Sequence, residues 1–128
     1  MMLSSMSTLL RRLGLLSAHL VVAVIALVVI GGATRVMEAG LACPDWPLCF
    51  GSFLPGRQMN VQVFLEWFHR LDAFVIGIAL VVMAVATMLQ RRQLPGWLPW
   101  LAIGLMVLVA MQGGLGLSLI HISEPTRR

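Results

Sequence analysis

Lysine and tyrosine are absent from this chain, and charge of either sign is scarce: 11% of its 128 residues are charged and 59% are hydrophobic. With a mean hydropathy of +0.94, that balance excludes an ordinary soluble domain and indicates an integral membrane protein. The net charge of +4 is carried by arginine alone. Arg11/Arg12 and Arg91/Arg92 sit as pairs at the ends of apolar segments, which is a topology signal and not a nucleic-acid-binding patch. Cysteine is limited to Cys43 and Cys49, too few for the four ligands of a structural zinc site. There is also no second cysteine pair of the kind a membrane thiol oxidoreductase would use to relay electrons. No small-residue cleavage site follows the first apolar run, so that run reads as an anchor and not as a removed signal peptide. No internal repeat is visible.

Three apolar segments are long enough for a hydrocarbon core of roughly 30 Å, which takes about 20 helical residues. They run from about 13 to 32, 61 to 89 and 97 to 115, with Trp97 and Trp100 as interfacial anchors of the third. Pro95 and Pro99 bracket the turn into that helix, where a missing N–H is tolerated. The fold class expected is therefore all-α, a polytopic membrane protein with three transmembrane helices. The two arginine pairs flank the same side, while Arg35 and Arg57 in the intervening loop are offset by Glu38 and Asp45. A cytoplasmic amino terminus and an extracytoplasmic loop over 34–60 follow, and both cysteines then lie where a disulfide can persist.

The second helix opens with Glu66-Trp67-Phe68-His69-Arg70-Leu71-Asp72, four ionisable side chains at the mouth of an apolar segment. Such groups usually face a bundle interior or a cavity and mark function. A 100° step places Glu66, Arg70, Ala73, Gly77 and Ala84 on one stripe with His69 at its edge. The small residues leave room for a flat group such as a porphyrin, whose iron would accept neutral imidazole, or they serve close helix packing. Asp72 is placed either to orient the imidazole or to face the aqueous interface. A plainer reading stands beside this one: the turn is the wet end of the helix, and Glu66 with Arg70 is an ordinary i,i+4 surface pair. His19 lies about 24 Å below Arg35 along the first helix, too deep to share one iron with His69, and is expected to be a buried, hydrogen-bonded polar residue.

Cys43 and Cys49 enclose Pro-Asp-Trp-Pro-Leu, whose prolines restrict the turn enough for the sulfurs to meet. A structural disulfide is the favoured reading and a redox-active pair the alternative. Trp46 and Phe50 are placed to dip into the interface. Residues 117–128, Leu117 to Arg128, resemble a translated sequencing adapter. They are expected to be an artefactual tail without a defined fold, a genuine polar tail being the alternative, so His121 and Glu124 enter no functional argument.

Gly31-Gly32-Ala33-Thr34-Arg35, Gly40-Leu41-Ala42-Cys43-Pro44-Asp45-Trp46-Pro47-Leu48-Cys49, Glu66-Trp67-Phe68-His69-Arg70 and Gln112-Gly113-Gly114-Leu115-Gly116 together resemble, in order and spacing, the amino-terminal half of heme A synthase. Each piece alone is weak; the cysteine loop combined with Glu-x-x-His-Arg is specific. The resemblance covers about 13–116 and implies an eight-helix parent of two four-helix halves, of which this chain would supply three helices of an incomplete half-bundle, inactive by itself. It implies oxidation of a ring methyl of heme O to the formyl group of heme A, for cytochrome oxidase assembly, with heme b as cofactor. It assigns His69 as an axial ligand of heme iron, Glu66 as the catalytic acidic residue, and Cys43 with Cys49 as the extracytoplasmic pair. Charge and proximity suggest Arg70 as the partner of a heme propionate or of Glu66. Implied partners are heme O and heme A, membrane lipid, heme O synthase and oxidase assembly factors, with no nucleic acid. A non-catalytic heme-binding membrane subunit using His69, and a thiol-disulfide oxidoreductase using Cys43/Cys49, are the alternatives.

Overall fold

The computed structural model describes the backbone of residues 1–123 and the side chains of residues 1–118. Among these residues the chain is all-helical: α1 spans Met2–Val36, α2 spans Val61–Leu89 and α3 spans Leu98–Ser123, with short 3-10 turns at Ala39–Leu41 and Gly56–Gln58 between α1 and α2. All three helices are long and apolar enough to cross a membrane. The chain is a multi-pass membrane protein.

Three helix boundaries differ from the sequence expectation, one of them the end of α1, which runs to Val36 and not to about 32, so that the loop expected over 34–60 begins at Met37. Helix α1 starts at Met2 and not near Leu13, because nothing before Leu13 breaks a helix and Arg11 and Arg12 are good helix formers. Its 35 residues extend about 52 Å at 1.5 Å each, well beyond a hydrocarbon core of about 30 Å, so the turns before Leu13 project past the arginine end. Helix α3 does not stop at Leu115 but continues to Ser123, into the segment expected to lack a defined fold. The run Leu117-Ser118-Leu119-Ile120-His121-Ile122 holds no glycine or proline, and the first breaker, Pro125, lies outside the described residues. Helix α2 matches its expected bounds. Asn60 caps it, its side-chain oxygen accepting the Val63 N–H at 2.9 Å.

Helix α2 is the central element, packing on both α1 and α3. Near the arginine pairs, Met83 and Ala84 of α2 meet Ala102 of α3, with Leu16 and Leu20 of α1 and Ile103 and Met106 of α3 closing the cluster. Gly31 of α1 meets His69 of α2 toward the opposite end, so α1 and α2 run antiparallel. Thr87, among the most buried side chains, donates to the Met83 carbonyl at 2.8 Å and satisfies its hydroxyl within the helix. An open apolar groove of about 330 Å³ lies between α2 and α3, lined by Val81, Ala84, Val85, Met88, Leu89, Ile103 and Met106. It belongs to the arginine end and lies away from the polar turn of α2.

Much of the apolar surface stays outside this core. Val21, Val22, Ile25, Val28 and Val29 of α1 and Val107, Leu108, Met111 and Leu115 of α3 are exposed, as suits surfaces that meet lipid or other helices in a bilayer. His19 departs from its expected burial. Its Nδ1 lies 2.7 Å from the Leu15 carbonyl, but the ring is exposed, because α2 packs on the side of α1 that carries Leu16 and Leu20.

Candidate functional site

The segment from Met37 to Asn60 folds back over the end of α1 and α2. Met37 ends α1 with its N–H on the Ala33 carbonyl at 2.9 Å, and Glu38 follows with φ +52, turning the chain off the helix axis. Further on, Cys49 and Ser52 exchange backbone hydrogen bonds of 3.0 and 3.2 Å around Phe50 and Gly51. Both central residues have positive φ, +53 and +73, as the tight hairpin turn requires, and glycine takes the second at no steric cost. The Asp45 side chain accepts the Gly51 N–H at 2.9 Å and braces the turn. Cys43 and Cys49 are joined by a disulfide. Both cysteines are buried and pack on Val63, with Ala42, Met59 and Trp67 around them.

Glu66 projects from the second turn of α2 into this loop and is 4% exposed. One carboxylate oxygen accepts the Cys43 backbone N–H at 2.7 Å; the other pairs with the Arg70 guanidinium. Arg70 then donates through a single nitrogen to the carbonyls of Asp45 at 2.6 Å and Leu48 at 3.0 Å. The i,i+4 pair is therefore not a surface pair at a wet helix end. It is a buried clamp in which a helix carboxylate holds one arm of the cysteine loop and a helix guanidinium holds the other. Two more bonds fasten the loop: the Gln62 side chain donates to the Met37 carbonyl at 3.1 Å, and the Trp67 indole donates to the Phe53 carbonyl. Phe64 lies between Trp67 and Phe68, with ring centroids 6.1 and 5.7 Å away, and forms an aromatic rim beside the clamp.

His69 sits one turn below Glu66 and faces α1. Its Nδ1 is buried and has no hydrogen-bond partner among the described residues. Asp72, a candidate orienting group, does not supply one, and its own Oδ2 is likewise buried and unpartnered. Of the small-residue stripe, Gly77 faces open space: a Cβ there would meet nothing within 4 Å. Close packing within this chain therefore does not account for that glycine. Among the described residues no three His, Cys, Asp or Glu side chains gather into a cation site.

Sequence profiles connect this arrangement to known proteins. The profile of the cytochrome oxidase assembly proteins (COX15-CtaA) matches residues 14–124. The chain belongs to this family, that of the heme A synthases. It is 30% identical to a heme A synthase of Sphingopyxis alaskensis, over 73% of this chain and 34% of the relative. It is also 30% identical to a heme A synthase-mitochondrial ferredoxin fusion protein of Schizosaccharomyces pombe, over 73% of this chain and 19% of the relative. A protoheme IX farnesyltransferase of Haloarcula marismortui matches at 42% identity over 56% of this chain and 15% of the relative. The chain thus spans between 15% and 34% of the length of these three relatives. No solved structure matches it.

Within the heme A synthase frame, the structure brings Glu66, Arg70, Cys43 and Cys49 into one connected cluster and places His69 at its lower edge. The bond from the Cys43 amide to Glu66 was not legible in the sequence, because it joins a backbone group to a side chain 23 positions away. The Gly31 contact with His69 had a faint signal, a glycine pair at the depth along α1 where the imidazole was expected.

Proposed function

We propose that this chain forms the heme-facing amino-terminal part of a heme A synthase, which oxidises a ring methyl of heme O to a formyl group for cytochrome oxidase assembly. The observation that carries the reading is the pairing of an oriented, buried carboxylate, Glu66, with the imidazole one turn away, His69, whose Nδ1 has no hydrogen-bond partner among the described residues, in a chain of this family. His69 would hold heme b through its imidazole. The residues fit that group: no hydrogen bond among the described residues ties up the imidazole Nδ1, and the α2 surface is open at Gly77. A bound heme supplies the redox chemistry and, as heme O, the methyl to be oxidised; the oxidant and the oxygen source come from outside this chain.

Glu66 is the residue that acts on the reaction. Removing electrons from a methyl group beside the ring builds positive charge and releases protons, and a carboxylate fixed in place stabilises the first and accepts the second. Each carboxylate oxygen carries two lone pairs, so the bonds to Cys43 and Arg70 leave acceptor capacity on Glu66. Arg70 spends both terminal nitrogens inside the chain, which supports its role as the partner that orients Glu66 more than a role on a propionate. Burial of both cysteines supports a structural disulfide over a redox-active one, because exchange requires access to the attacked sulfur.

In this reading the amino terminus is cytoplasmic and the cysteine loop extracytoplasmic. Arg12 and Gln90 line the same groove, so the first arginine pair lies at the end of the molecule where the second begins, as the positive-inside rule asks. The test is Glu66→Gln in a full-length heme A synthase carrying this segment. Retained heme with loss of the formyl product is expected, whereas full turnover would remove Glu66 from the chemistry and leave a heme-binding subunit.

A further inference from the structure

A heme-ligating histidine needs its ring plane fixed. In most such sites one ring nitrogen donates to a carbonyl or carboxylate and so sets the ring plane. Here Nδ1 is buried with no partner among the described residues, and Asp72 does not reach it. What the ring does touch is the backbone of α1. A Cβ built on Gly31 would lie 2.9 Å from His69 Cε1, 3.4 Å from Nδ1 and 3.7 Å from Nε2. Carbon atoms in contact settle at about 3.5–4.0 Å, so any side chain at this position forces the ring to turn or the two helices to part. The neighbouring Gly32 is different: a Cβ there meets nothing within 4 Å.

The geometry points to Gly31 as a positioning residue, the surface against which the His69 imidazole is set in plane and depth. This rests on the reading of His69 as a heme ligand. The missing Cβ lets the ring seat against α1 at this depth. The ring meets α1 with its Cε1 end nearest, and the α1–α2 crossing sets how closely it approaches.

Gly31→Ala and Gly32→Ala make the test, since both add the same methyl group to the same helix and only the first meets the ring. The variants are compared in the full chain in micelles, with and without His69→Ala, and by hemin titration, heme midpoint potential and low-spin electron paramagnetic resonance. Gly31→Ala is expected to lower the melting temperature relative to Gly32→Ala, and to lose that difference when His69→Ala removes the ring. With hemin, it is expected to weaken uptake about tenfold or more, as loss of an orienting neighbour does at metal sites, and to shift both the potential and the resonance. Equal behaviour of the two alanine variants in melting and in heme properties overturns the inference. If the melting difference depends on His69 but His69→Ala takes up hemin as well as the parent chain, the positioning contact stands and the ligand reading falls.

Discussion

Arg70→Met severs the clamp at the point where its energetics are most exposed to measurement. The substitution keeps a flexible side chain of similar length and removes three interactions: the ion pair with Glu66 and the donations to the Asp45 and Leu48 carbonyls. The larger consequence falls on the partner left behind. The Glu66 side chain is 5% exposed and the Arg70 side chain 19%, so Glu66 would keep a buried charge with only the Cys43 amide to answer it. Removing one member of a buried pair costs about 3–5 kcal/mol, and the partial exposure of Arg70 places the expectation at the lower end of that range. In a Glu66→Gln background no carboxylate is stranded, and the same Arg70→Met change should cost only about 1–2 kcal/mol for the carbonyl contacts. The difference is a coupling of about 1–2 kcal/mol, within the span found for contacting residues. It is read by equilibrium unfolding in mixed micelles, titrating with SDS and following tryptophan fluorescence. Equal costs of Arg70→Met in the two backgrounds would refute the clamp as the source of stability at this end.

Two further outcomes follow from the loop and its helix. Replacing both cysteines, Cys43→Ser with Cys49→Ser, opens a ring with a sequence separation of 6 and should cost about 2 kcal/mol through chain entropy; faster hydrogen exchange at the Cys43 amide, now less firmly held on Glu66, is the measurement. Asn60→Ala removes the acceptor of the Val63 N–H and should cost about 1 kcal/mol by the same micelle titration.

How much of this was legible beforehand differs from residue to residue. Helix α2 matched from Val61 to Leu89 because an apolar run bounded by Asn60 and by Arg91/Arg92 carries its own start and stop. Helix α1 did not match at its beginning, since a membrane-length criterion marks where lipid contact ends and says nothing about where helical hydrogen bonding ends. Glu66 was singled out as an ionisable residue in an apolar helix, and its burial agrees with that attention. The plainer view of Glu66 and Arg70 as a surface pair failed because their spacing along α2 carries no information on what folds over them. Asp72, equally conspicuous in sequence, makes no hydrogen bond to His69 Nδ1.

Composition and arginine placement determined by themselves that this is a membrane protein with three spanning helices, because the bilayer leaves few options to a long uncharged run. The two cysteines, held in a short proline-bounded loop, could meet by local stiffness alone. The tertiary structure alone decided that the Cys43 amide reaches Glu66, that Arg70 holds both arms of the loop, and that His69 lies on the bare backbone of Gly31. Each of these joins a side chain to main-chain atoms of a distant segment, and main-chain atoms are the same in every residue. Only the crossing of α1 on α2 and the path of the loop select which ones meet.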